Sequence, residues 1–298
     1  MSLTILEFLN QPQSPEQRVR DYVSASKLNL WLRCPLAFRR RYLDGIKTEP
    51  TPSLFFGRVV HDALDGIYRC AMLGEYATAN DVPQIVDDAW KRAMQSDPCD
   101  FADDALVTKT KNQVLDVVKA YISTIDIPCE RPLAVERKFE SPLIDPSTGE
   151  DCGILVGIAD LVLDDEENGP VVIDFKTASS SSTASRCELS HEIQLTAYSY
   201  LIREFFGRES SLEIRQLVKT KTPKIITHRY PPRSEEHFAR FFGVVREYSD
   251  AIDKGSYPPK PSWSCSMCQH SDECNRLAIP SNSKEPKQCP IPSSVIGG

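Results

Sequence analysis

A chain of 298 residues, 41% of them hydrophobic and with a formal net charge of −7, is long enough to bury a sizeable core as one large domain or two small ones. No apolar run approaches the roughly 18 residues of a membrane span, and the start "MSLTILEFLNQPQSPEQ" lacks the basic opening and small-residue cleavage site of a secretory leader, so a soluble cytoplasmic protein is expected. The acidic balance argues against nucleic-acid binding driven by overall charge, while leaving room for local basic clusters at Arg33, Arg39, Arg40, Arg41 and Lys47 and at Lys219, Lys221 and Lys224.

In chain order, "RDYVSASKLNLWLRCPLAFRRRYLDG" offers Ser24 or Ser26 as a helix cap, then Leu28, Trp31 and Leu32 at helical spacing and a second helical run after Pro35. A polar linker, "KTEPTPS", leads into "FFGRVVHDALDGIYRCAML", again helical in period, and residues 81–95 and 103–125 read as two more amphipathic helices. From about residue 133 the pattern changes. "LAVERKFESPLI", "GILVGIADLVLDD" and "PVVIDFKTAS" are rich in β-branched residues and broken by Pro, Gly and acidic turns, which predicts three consecutive strands, the last two joined by the "EENG" turn. After a serine-rich loop, residues 188–206 read as a helix, "LEIRQLVKT" and "KIITHRYP" as strands, and about 234–253 as a further helix. One domain over residues 1–298 is expected, with a mostly helical part at 20–130, a sheet core at 131–233, a C-terminal helix and cysteine-bearing region at 234–276, and an irregular tail at 277–298.

Side chains alternate faces along a strand, so Asp174 and Lys176 share one face of "VVIDFKTASS" while Ile173 and Phe175 take the other. The 164–169 turn brings Asp174 opposite Asp160 at the end of "GILVGIAD". Two carboxylates crowded on one face are costly unless a cation binds between them, and oxygen donors suit Mg²⁺ or Mn²⁺. A lysine beside that site suits orienting or deprotonating a water for attack on phosphorus. Alone, the Asp-x-Lys match is weak; Asp160 one hairpin upstream makes it more specific.

With these residues in place, the chain resembles the PD-(D/E)xK nuclease superfamily, in particular its RecB-like exonuclease branch, which includes the CRISPR-associated adaptation exonucleases and the AddB nuclease domain. The resemblance is carried by "SASKLNLWLRCP", "FGRVVH", "GIADLV", "IDFKT", "QLTAY" and the closing cysteines, in order from residue 24 to 274. It implies a restriction-endonuclease-like α/β core, a mixed central β-sheet flanked by helices, with Asp160, Asp174 and His61 on the metal and Lys176 as the catalytic lysine. Asp stands where many members carry Glu. Gln194 and Tyr198, four apart and hence on one helix face, are placed by the resemblance beside the lysine, to bond it or a DNA phosphate; otherwise that helix merely covers the sheet. Glu136 in "AVERKF" matches an acid often found one strand before the metal aspartate, and either assists the metal or sits at a strand edge. Lys219, Lys221 and Lys224 are candidates for DNA-backbone contact.

Of ten cysteines, Cys70, Cys99, Cys129, Cys152, Cys187 and Cys289 are scattered singly and read as core or surface thiols. Cys265, Cys268 and Cys274 form a C-x-x-C-x5-C array, one thiolate short of a tetrahedral site. His270 completes it for Zn²⁺ in one reading. In the other, implied by the resemblance, Cys34 joins the triplet around a [4Fe-4S] cluster. Either group acts as a staple across more than 200 residues of chain. The expected activity is metal-dependent DNA exonuclease action on single strands or ends in repair or recombination. Alternatives are the nuclease subunit of CRISPR spacer acquisition and a weakly active nucleic-acid-binding module; the expected partners are DNA and either a helicase or a CRISPR integrase.

Overall fold

Ser24 opens the first helix by accepting the amide of Lys27 through its side chain, and α1 runs Ala25–Arg33; Pro35 starts α2, Pro35–Tyr42, one residue later. These are the first full helices of the computed structural model, which describes residues 19–277. Cys289 and all but the first residue of the expected tail lie outside the described residues. Thr51 caps α3, Pro52–Met72, with Pro52 in its first turn, where a missing N–H costs nothing. Helices α4, Val82–Ser96, and α5, Asp104–Thr124, follow, the latter capped by Asp103.

Three strands come next as expected: β1 Pro132–Ile144, β2 Asp151–Asp165 and β3 Gly169–Ala178. The following helix, α6, runs Ala184–Phe206 and so begins four residues before the run marked by its apolar spacing. The cause is local. Thr183, inside the serine-rich loop, accepts the amide of Arg186 and starts the helix there. Strands β4, Ser211–Val218, and β5, Lys224–Tyr230, precede α7, Glu235–Asp253, and the chain ends its described part in α8, Ser271–Leu277.

The strands form one five-stranded sheet in the order β1-β2-β3-β4-β5. All neighbours are antiparallel except β3 and β4, which run parallel because the α6 crossover returns the chain to the same end. The alternation read in β3 sets the two layers. Val172 packs with Tyr198 and Leu201 of α6 and Phe241 and Phe242 of α7, while Ile173 and Phe175 pack with Val60 and Leu64 of α3 and Val114 and Tyr121 of α5. Gly157 lets α6 lie against β2: a Cβ there would meet Leu201 Cδ1 at 2.7 Å. Among the described residues no helix is long and apolar enough to cross a membrane.

Candidate active site

Strands β2 and β3 pair only from Asp165–Gly169 to Leu161–Ile173; beyond that point β2 continues beside β1. The next residues in register are Asp160 and Asp174. A cleft of ≈ 410 Å³ opens there, lined by His61, Glu136, Asp160, Asp174, Lys176, Gln194 and Tyr198 together with Tyr22, Ser24, Ala25 and Ser26. Residues spread from the start of α1 to α6 thus meet where two strands part.

Each carboxylate is held differently. Asp160 Oδ2 accepts the Phe175 amide at 2.7 Å and lies 3.5 Å from His61 Nδ1. Burial pushes this acid up, but the hydrogen bond and charge of His61, the charge of Lys176 and the Phe175 amide outweigh it, leaving Asp160 below the usual carboxylate range. His61 is raised in turn: burial opposes its charge, and the bond to Asp160 and the nearby acids overcome that. Asp174 goes the other way. Only 2% exposed, it is driven upward by burial and Asp160, against the pull of Lys176. Lys176 Nζ stands 2.5 Å from Asp174 Oδ2 and forms an ion pair with it.

Gln194 Nε2 donates to Asp174 Oδ1 at 2.9 Å and to the Tyr198 hydroxyl at 2.8 Å, and Tyr198 donates to the Ile158 carbonyl at 2.7 Å. The pair therefore engages the acid rather than the lysine, since an amide N–H cannot bond an ammonium. Burial, with the charges of Asp174 and Asp160, raises Tyr198 well above its ordinary value, so it stays a neutral phenol.

Glu136 lies between Val135, paired with Leu161, and Arg137, paired with Ala159, which sets it across from Asp160. Its φ of 43° is the one positive value at a non-glycine position among the described residues. Such backbone costs roughly 1–3 kcal/mol and persists where the surroundings hold it. Its carboxyl is pushed up to about 7 by burial first and then by Asp160. Among the described residues, His61, Glu136 and Asp160 are the one group of three or more His, Cys, Asp or Glu whose donor atoms all lie within 4.8 Å of each other. Glu136, named for either a metal-assisting or a strand-edge place, is thus a strained, half-buried residue beside two other donors.

The basic turn ends at the same end of the sheet as Lys176, because Ala178 pairs with Val218. Lys219 is committed: its Nζ donates to Ser53 Oγ at 3.0 Å and sits 4.5 Å from the Phe56 ring centroid. Lys221 and Lys224 are exposed. Cys34, Cys265, Cys268 and Cys274 are free thiols. Two hydrogen bonds tie the C-terminal region to the N-terminal part, Lys260 Nζ to the Leu32 carbonyl of α1 at 2.7 Å and Gln269 Nε2 to the Glu49 carbonyl in the linker before α3 at 3.0 Å. The four sulfurs are not drawn within 4.8 Å of one another, whereas Zn–S bonds of about 2.3 Å would set tetrahedral donors roughly 3.8 Å apart.

Sequence reasoning missed the structure beneath the site. Arg215, 3% exposed, donates to Glu213 at 2.6 Å and to the Tyr68 hydroxyl at 2.8 Å, and also pairs with Glu130 and Tyr121. Phe175 stacks on Tyr68 and meets His61 edge-on. Nothing in the local pattern of "LEIRQLV" marks Arg215 as buried. A cavity of ≈ 520 Å³ borders this network, but Arg131, Arg215 and Arg229, which line it, are all ion-paired.

A solved structure from Eubacterium rectale named "Putative exonuclease" superposes with a TM-score of 0.53 at 13% identity, covering 96% of each chain, which is a likeness of fold. A second solved structure, SSO0001, gives a TM-score of 0.34 at 15% identity over 84% of this chain and 95% of that one, and carries no argument. No curated protein matches the sequence. The model of the PD-(D/E)XK nuclease superfamily matches residues 22–275, and the mixed five-stranded sheet flanked by helices is consistent with that fold. The chain belongs to the PD-(D/E)XK nuclease superfamily.

Proposed function

We propose that the protein is a metal-dependent DNA exonuclease that hydrolyses phosphodiester bonds of single strands or DNA ends, in repair or recombination. The observation that carries this reading is the meeting of His61, Glu136, Asp160, Asp174 and Lys176 in one half-buried cleft. The residues fit a divalent cation. Carboxylate oxygens are the donors that Mg²⁺ and Mn²⁺ take, and Asp174 and Glu136 are both pushed upward by burial and by neighbouring negative charge, a stress that a cation relieves. Of the expected set, His61 and Asp160 would hold it together with Glu136, whose donor atom lies within 4.8 Å of theirs, while Asp174, whose oxygens face Gln194 and Lys176, would border it.

When bound, the metal supplies Lewis-acid stabilisation of charge developing on the phosphate. The chain's own groups do the rest. Lys176, anchored by Asp174, presents Nζ to orient the attacking water. Gln194, fixed by Tyr198, holds Asp174 Oδ1 so that Oδ2 faces Lys176. The strained backbone at Glu136 aims its carboxylate across the strand at Asp160. On a strand labelled at its 5′ or 3′ end, an exonuclease releases mononucleotides from one labelled end at the earliest times. Internal fragments of mixed length would make it an endonuclease instead.

For the cysteines, a [4Fe-4S] cluster held by Cys34, Cys265, Cys268 and Cys274 is the proposed staple. Support comes from the Lys260–Leu32 hydrogen bond, made to the helix just before Cys34, and the Gln269–Glu49 hydrogen bond, made to the linker after α2, which keep the triplet's segment near the N-terminal part of the chain. Four thiolates around such a cluster predict a brown protein absorbing near ~400 nm with about four irons per chain. A colourless protein with one zinc would refute it.

A further inference from the structure

The approach to the carboxylates is not polar throughout. Tyr22, Val156 and Ile158 line the same cleft as Asp160 and Lys176, with Tyr22 36% and Ile158 51% exposed. The backbone fixes both. Val23 forms a parallel bridge with Leu155, its N–H reaching the Ile154 carbonyl at 2.7 Å and its carbonyl accepting Val156 N–H at 2.8 Å, so Tyr22 is pinned alongside β2. One side of the Tyr22 ring is already taken. Lys27 Nζ sits 3.4 Å from the ring centroid and donates to the Tyr22 and Val19 carbonyls at 2.9 and 3.2 Å, and Lys27 itself is 2% exposed. Even so, Tyr22 keeps 36% of its surface exposed and lines the cleft.

We propose that Tyr22 is a stacking platform for the nucleobase next to the scissile phosphate, so that the cleft selects a strand whose bases are unpaired at the cut. Every base has a π-face, and aromatic stacking is how sequence-tolerant single-strand binders hold bases. The Lys27 cation behind the ring draws its electron density away from the open face, which favours an electron-rich base there. Val156 and Ile158 add apolar surface beside it for base and sugar. A paired duplex keeps its base faces stacked inside the helix and cannot use this surface. An apolar peptide fits poorly, because it would bury Asp160, Asp174 and Lys176 along with the ring.

This inference rests on the nuclease reading, and the test keeps the two apart. The full chain is mixed with single strands carrying 2-aminopurine at successive positions from the end, in Ca²⁺ so that binding is read without turnover, and compared with Tyr22→Phe, Tyr22→Leu and Tyr22→Ala. Stacking is expected to quench the fluorophore at one position for the parent and Tyr22→Phe and at none for the Leu and Ala variants. In Mn²⁺, Tyr22→Leu is expected to raise KM about tenfold with kcat changed less than threefold, and an abasic nucleotide at that position is expected to erase the difference between parent and Leu variant. Absence of quenching in the parent, or a Leu variant that lowers kcat at unchanged KM, overturns the platform. If the parent cleaves nothing in any metal but still quenches in a Tyr22-dependent way, the platform stands and the nuclease reading falls.

Discussion

Replacing Asp174 by asparagine is expected to lower kcat/KM on single-stranded DNA by a thousandfold or more. Stabilisation of transition-state charge by a bound divalent ion is worth several kcal/mol, and each 1.36 kcal/mol is tenfold in rate. The asparagine removes the charge that pairs with Lys176 and that, on the proposed reading, would help attract the metal, and it leaves no cavity. It does not unfold the protein. Asp174 is buried beside Asp160 and pushed upward by both burial and that neighbour, so losing its charge removes a repulsion. Lys176, with 26% of its side chain exposed, can take water in exchange. Single-turnover cleavage together with thermal melting of the metal-free protein checks this: activity falls by the stated factor while the melting temperature stays level or rises. A melting temperature lowered in step with activity would mean that Asp174 matters only as scaffold.

The second large effect is structural. Arg215→Ala is expected to destabilise the fold by about 3–5 kcal/mol, the cost of leaving buried charges without their partner. Glu213, 3% exposed, and Glu130 would both lose their guanidinium, with Tyr68 and Tyr121 losing a donor. Arg229 reaches only the other oxygen of Glu213 and is itself largely exposed, so it cannot compensate. Against a total stability of roughly 5–15 kcal/mol, the melting temperature is expected to drop by roughly ten degrees or more. Arg215→Lys recovers little, because an ammonium cannot span both acids and both phenols as the planar fork does. The damage reaches the cleft through Phe175, which rests on Tyr68 and touches His61. Urea denaturation of parent and variant measures it, and a change below 1 kcal/mol would remove the network from the account.

The parts of this protein that obey short-range rules could be read from the sequence. Alternation in "VVIDFKT" foretold the two layers, Val172 on one and Ile173 and Phe175 on the other, and the turn after Asp165 foretold the antiparallel return that faces Asp160 with Asp174. Helix starts depended on single caps. Ser24 was visible next to an apolar run, whereas Thr183 was hidden in a serine-rich stretch with no apolar spacing to mark it. What stayed hidden depends on contacts far apart in sequence. Arg215 meets Tyr68 across 147 positions, and no local pattern distinguishes it from a surface arginine. Glu136 was noticed as an acid in a strand, but its left-handed backbone arises from the register around Val135 and Arg137 and from the donors it faces. Nothing in the sequence around Tyr22 marks it; the bridge from Val23 to Leu155 carries it to the cleft.

The central claim is that the cleft where β2 and β3 part is a divalent-metal nuclease centre. The most direct measurement is the rate at which the full-length parent and Asp174→Asn proteins degrade a labelled single strand in Mn²⁺, in Mg²⁺ and in EDTA. Degradation by the parent is expected in at least one of the two metals, none in EDTA, and at least a thousandfold slower degradation by Asp174→Asn. A parent inert in both metals, or a variant as active as the parent, would contradict it.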